Sequence, residues 1–151
     1  MTVRTYKPED LKPLIALFKM FFEKHSIFEQ DKETIRKYIQ AQEDDLYVLD
    51  EDGIKAALFL VKTGGTPEGT HTRWKFRHLA YHTEKDGSRL IAFAEDAVKN
   101  ASVTAKIELT IAENERAFPL IQAEGYEQEG KLKDHYRFGE ITYILSKSFS
   151  P

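Results

Sequence analysis

In the stretch Leu79–Asn100, LAYHTEKDGSRLIAFAEDAVKN, a strand-like run meets a helix-like run across a very short turn that holds one glycine, Gly87. A helix opening straight after such a turn presents backbone N–H groups and the positive end of its dipole, which suit a phosphate. Phosphate-cradling loops usually carry several glycines, so the same spacing also fits a plain connection. Glu108, in KIELTIA, faces away from Ile107 and Leu109. A carboxylate so placed is either a base beside a cleft or a solvated strand glutamate. His78 and His82 are four apart, a ligand spacing on a helix. On a strand they stand roughly 13 Å apart, too far for one metal ion. Arg73, Lys75 and Arg77 put three cations on one strand face, which fits either a solvated edge or a cleft that favours anions.

The elements that must position these groups are legible in the pattern. Residues 2–6 read as a first strand. PEDLKPLIALFKMFFEKH, residues 8–25, carries Leu11, Leu14, Ile15, Leu17, Phe18, Phe21 and Phe22 at helical spacing, with Asp10 as N-cap and Pro13 in the first turn. A weaker helix is expected over about Lys32–Gln42. LYVLDEDGIKAALFLVK is a hairpin signal around Asp50-Glu51-Asp52-Gly53. TGGTPEGTHT, residues 63–72, reads as a long polar loop. RWKFRHLAYH alternates, with Arg73, Lys75, Arg77, Leu79 and Tyr81 on one face and Trp74, Phe76, His78, Ala80 and His82 on the other. The helix after Gly87 is expected to bury Leu90, Ile91, Phe93, Ala94, Ala97 and Val98. KIELTIA reads as a buried strand, and ENERAFPLIQAEGY as a last helix with Asn114 as its cap, Pro119 delaying its regular part, and Gly125 as the C′ residue. A closing hairpin ends the chain. Alternating strands and helices without repeats or a linker predict one α/β domain over residues 1–151.

Composition narrows the function. The chain has 151 residues, enough for one core. A net charge of −3 argues against a dedicated nucleic-acid binder. With no cysteine there is no disulfide, thiolate zinc site or cysteine nucleophile. No signal-peptide pattern and no apolar run of roughly 20 residues is present, so no membrane partner and a cytoplasmic location are expected.

NERAFPLIQAEGYEQEGKLKDHYRFGE resembles the C-terminal motif of the GNAT superfamily of acetyl-CoA-dependent N-acetyltransferases, with Asn114, Arg116, Ala117, Gly125 and Tyr126 matching in order and spacing. HLAYHTEKDGSRLIAFAEDA is similar to the family's cofactor-binding strand–turn–helix, and the order of elements agrees along the whole chain. The resemblance implies a single-domain α/β fold whose mixed, mostly antiparallel sheet splays between the strand near 73–82 and the strand near 105–112, with helices on both faces. It implies acetyl-CoA as cosubstrate, no metal, and an amine acceptor, either a small molecule or a protein N-terminus. The oligomeric state stays open, a homodimer among the options. By the same resemblance the coenzyme is held by Leu79, Ala80, Tyr81, Lys85, Asp86, Gly87, Ser88, Arg89 and Asn114. The family's Gln/Arg-x-x-Gly-x-Gly/Ala loop is shortened here to TEKDGSR, so Lys85 or Arg89 is expected to supply compensating charge. Ile121 stands where the family commonly has a thiolate-protonating Tyr, and Lys75 near the position of a carboxylate base. Tyr136, then Tyr126, are the substitute acids to consider, and Glu108 the substitute base; each tyrosine also fits a structural role. The alternative is a catalytically degenerate binding or interaction module of the same fold.

Overall fold

The computed structural model describes residues 2–22 and 26–151. Its elements in chain order are β1 (Thr2–Thr5), α1 (Leu11–Phe21), α2 (Lys32–Gln40), β2 (Leu46–Asp50), β3 (Ile54–Gly65), β4 (His71–Tyr81), α3 (Glu84–Ala101), β5 (Thr104–Ala112), α4 (Phe118–Ala123), β6 (Glu127–Lys133) and β7 (Ile141–Phe149). The strands hydrogen-bond as one seven-stranded sheet in the order β1-β2-β3-β4-β5-β7-β6. β1/β2, β2/β3, β5/β7 and β6/β7 are antiparallel. β4 and β5 are parallel neighbours, paired from His71↔Thr104 to Lys75↔Glu108, after which β4 continues to Tyr81 and β5 to Ala112. This is the mixed, mostly antiparallel α/β sheet expected from the sequence, with its two central strands side by side. Among the described residues no helix is long and apolar enough to cross a membrane.

Contacts group the chain into two compact units, Met1–Leu60 with His78–Ile91, and Val61–Arg77 with Ala92–Pro151. In the first unit, α1 buries Leu14, Leu17 and Phe18, with Phe18 stacked on Phe28 at 4.7 Å. Residues 23–25 of the expected first helix lie outside the described residues. Asp10 precedes α1 as expected, but its carboxylate does not cap that helix; it accepts from Lys7 N at 2.8 Å and from Arg4 at 2.7 and 2.9 Å. Asp31 does cap α2, accepting from Thr34 N at 2.7 Å. The tetrad Asp50–Gly53 forms the β2–β3 turn, with Asp52 and Gly53 at φ 55° and 114°.

In the second unit, Ala105, Ile107, Leu109 and Ile111 bury one face of β5, and Ala94 and Val98 of α3 are buried with them. Phe93 departs from expectation: it sits on the outer face of α3, 37% exposed. The expected loop over 63–72 is shorter than predicted. β3 runs to Gly65, β4 starts at His71, and Thr66 N donates to His71 O at 2.9 Å. The threonines flanking the glycines favour strand, which extends the ladder into the polar run. α4 begins at Phe118 with Pro119 in its first turn, so its cap is Ala117 rather than Asn114. Gly125, at φ 96°, follows its end as predicted.

Candidate active site

The segment expected to hold the coenzyme lies in the first unit. α3 does not open after Gly87; it opens at Glu84. The reason is a reciprocal capping box that the sequence spells as Thr-x-x-Asp. Thr83 Oγ1 accepts from Asp86 N at 3.2 Å, while Asp86 Oδ2 accepts from Thr83 Oγ1 at 2.9 Å and Thr83 N at 3.3 Å. Gly87 N donates to Thr83 O, so Gly87 belongs to the helical ladder and is buried. The amides of Glu84 and Lys85 keep no intrachain acceptor among the described residues. Lys85 is exposed, and Ser88 is half-buried. Arg89 is already engaged, its guanidinium donating to Glu51 Oε2 at 3.0 Å across to the β2–β3 turn. That pair is 38 residues apart in sequence and left no local signal. Lys85 is therefore the cation at hand beside this helix start.

The strand leading there is broken by His78, whose φ of 51° is left-handed, a conformation that costs a residue with a Cβ on the order of 1 kcal/mol. The break ends the alternation of β4. Leu79, Ala80 and Tyr81 are all buried, whereas strict alternation put Leu79 and Tyr81 with the arginines. The His78 ring meets Phe22, Phe28 and Phe59 edge-on at 5.2–6.0 Å, and its Nε2 shares a 2.6 Å hydrogen bond with the Tyr38 hydroxyl. Spacing alone marked His78 only as half of a rejected metal pair; its role as the ring beneath Tyr38 had no signal in the sequence. Among the described residues no group of three or more His, Cys, Asp or Glu could hold a metal ion.

The two candidate catalytic groups lie together in the second unit. Lys106, Glu108 and Thr110 are half-buried on the β5 face opposite the buried Ile107 and Leu109. The Tyr136 hydroxyl, half exposed in the β6–β7 connection, lies 2.9 Å from Thr110 Oγ1. Glu108 is two residues back along the same face, about 7 Å away. Across the ladder Glu108 stands beside Lys75 of β4 and Ser146 of β7. Asp134, at φ 54°, accepts from Gly139 N at 2.7 Å and closes the loop, and the His135 ring packs edge-on against Tyr136 at 4.7 Å. Asn114 is exposed in the turn after β5.

Tyr126 has the structural role. Its ring is buried and its hydroxyl donates to Glu95 Oε2 at 2.8 Å. Burial, with the Glu95 charge beside it, pushes its pKa far above the ordinary phenol value, so it holds its proton firmly. Lys147 Nζ closes the cluster, donating to both Glu95 oxygens at 3.1 Å and to Glu124 O at 2.9 Å. Sequence reading also missed Glu115, half-buried in the turn after β5. Burial pushes its carboxyl up to about 7, with Arg137 opposing the shift and Glu140 adding to it.

No family model matches the sequence, and no curated protein matches it. Solved structures do match its fold. Aminoglycoside 6'-acetyltransferase type Ii superposes with a TM-score of 0.76 at 13% identity, covering 100% of this chain and 99% of that one. Naa50 from Arabidopsis thaliana, in complex with the bisubstrate analogue CoA-Ac-MVNAL, gives 0.72 at 17% identity, covering 98% of each chain. The ribosomal-protein-alanine N-acetyltransferase from Brucella melitensis gives 0.69 at 16%, covering 99% of this chain and 100% of that one. At these identities the likeness is one of fold, and the fold is the GNAT fold of N-acetyltransferases.

Proposed function

We propose that residues 1–151 form one domain that transfers an acetyl group from acetyl-CoA to an amine by direct attack on the thioester. The observation that carries this reading, beside the fold, is the Tyr136 hydroxyl fixed by Thr110 on the face that bears Glu108. A proton donor and a proton acceptor thus share one strand face. Glu108 takes one proton of the acceptor ammonium and releases it to solvent, the amine nitrogen bonds to the carbonyl carbon, and the carbon–sulfur bond breaks as Glu108 takes the second nitrogen proton. Tyr136 gives its proton to the thiolate and regains one from solvent. The backbone of Leu79–Tyr81 lies along the pantetheine arm. The Glu84 and Lys85 amides, the Lys85 ammonium and Ser88 take the pyrophosphate, and Asn114 is assigned to the coenzyme by the family resemblance alone. Thr83 and Asp86 shape this helix start, and Gly87 continues its ladder. Arg89 joins only by leaving Glu51.

Two measurements test the proposal. Calorimetry with acetyl-CoA should show micromolar binding, and a thiol-release assay over an amine panel should show turnover. Tyr136→Phe should lower kcat at least roughly tenfold with acetyl-CoA affinity unchanged, since general acid catalysis contributes about 10²–10⁴-fold. Thr110→Val, which only frees the phenol, should lower it less. No binding at millimolar acetyl-CoA would sink the enzyme and leave a binding module of the same fold.

A further inference from the structure

The cations of β4 have neighbours that the sequence did not reveal. Thr66 stands opposite His71 through the bond from Thr66 N to His71 O. Antiparallel pairing from that point sets Gly64 across from Arg73 and Lys62 across from Lys75. Contact at Gly64 agrees: a Cβ there would run into the Arg73 guanidinium, so the arginine lies flat over β3 where glycine leaves room. Lys62, Arg73 and Arg77 are exposed and Lys75 half-buried. Among the described residues none of the four takes part in an ion pair. Lys106, by contrast, is neutralised by Glu129 at 2.7 Å. The register places Lys75 beside Glu108, the one carboxylate of β5 on this face, at more than ion-pair distance.

Four unpaired cations on adjoining strands repel one another, and a bound anion relieves that repulsion. Two are arginines, whose planar forks match a carboxylate. Lys75 and Lys62 stand one and two strand spacings, roughly 5 and 10 Å, from Glu108, and the arginines flank Lys75 two residues to either side on β4. Resting on the acetyltransferase reading, which puts the acceptor amine at Glu108, we infer that the acceptor is an acidic amine whose carboxylate lies on Lys62, Arg73, Lys75 and Arg77. A peptide N-terminus followed by an acidic side chain has that span. A polycation, such as an aminoglycoside, meets like charge here and is a poor acceptor.

The test compares three peptide amides, Ala-Glu-Ala, Ala-Gln-Ala and Ala-Lys-Ala, with acetyl-CoA saturating. The glutamyl peptide should exceed the lysyl peptide roughly tenfold in kcat/KM at low salt, through KM, and the ratio should shrink in about 0.5 M salt. The double variant Lys75→Met with Arg77→Met should raise KM for the glutamyl peptide several-fold, level the three peptides, and leave acetyl-CoA affinity unchanged. Equal kcat/KM values for the three in the wild type overturn the inference while the enzyme reading stands. A loss of acetyl-CoA affinity in the double variant with unchanged peptide preference assigns the stripe to the coenzyme's phosphates and also overturns it. If no peptide turns over, calorimetry with the same peptides decides: tighter binding of the glutamyl peptide than the lysyl one supports the anionic site, and equal or absent binding removes it.

Discussion

Single residues show best what the chain's chemistry depends on. Glu115 titrates where few carboxyls do, because its turn withdraws it from water and Glu140 adds a second negative charge. An acid whose pKa is raised on folding binds more protons in the native state than in the unfolded one. Its contribution is therefore full below the ordinary glutamate range and is lost as pH rises to about 7. Glu115→Gln removes this loss. The variant's melting temperature relative to wild type should climb from about pH 4.5 to about pH 7 and level off above; a pH-independent difference would refute the burial of this carboxyl. None of this was readable from the turn's sequence, because the shift comes from the fold around Glu115. Glu108 was readable, because strand alternation alone assigns its face. Tyr136 was readable only as a residue type; its bond to Thr110 spans 26 positions.

Elements are held in place by polar contacts as well as by the apolar core. Glu95 of α3 joins Tyr126, just before β6, to Lys147 of β7. Removing it leaves a buried phenol and a partly buried ammonium without their shared acceptor. Glu95→Ala should cost about 3 kcal/mol in urea unfolding, and Tyr126→Phe about 1 kcal/mol, since it deletes one hydrogen bond and strands no charge. Equal costs would mean the carboxylate is not the hub. At this scale the sequence was most informative. Alternation and turn residues located the strands, and Asp50–Gly53 located the hairpin. The start of α3 lies three residues before Gly87 because the Thr83–Asp86 box opens the helix, and the break in β4 left no signal because histidine's enrichment in left-handed backbone is too weak to mark one position in a strand.

At the scale of the whole molecule, neither compact unit is a continuous piece of chain. β3 passes from one to the other after Leu60 and β4 after Arg77. A strand that contributes to both ties their unfolding together. Trp74, the chain's only tryptophan, belongs to the second unit, its indole N–H donating to Thr72 Oγ1 at 2.8 Å. Its fluorescence and the far-ultraviolet dichroism of the whole chain should therefore give the same urea midpoint. Two separated midpoints would show two independently unfolding parts. The α/β order followed from the sequence and the neighbouring central strands from the family resemblance, whereas a division that cuts through two strands leaves no trace in composition.

The capping box between Thr83 and Asp86 also has a kinetic consequence. It finishes the first turn of α3 with groups of the chain itself. An anion arriving at the Glu84 and Lys85 amides meets a terminus that is already built, so no ordering step at that turn stands between encounter and capture.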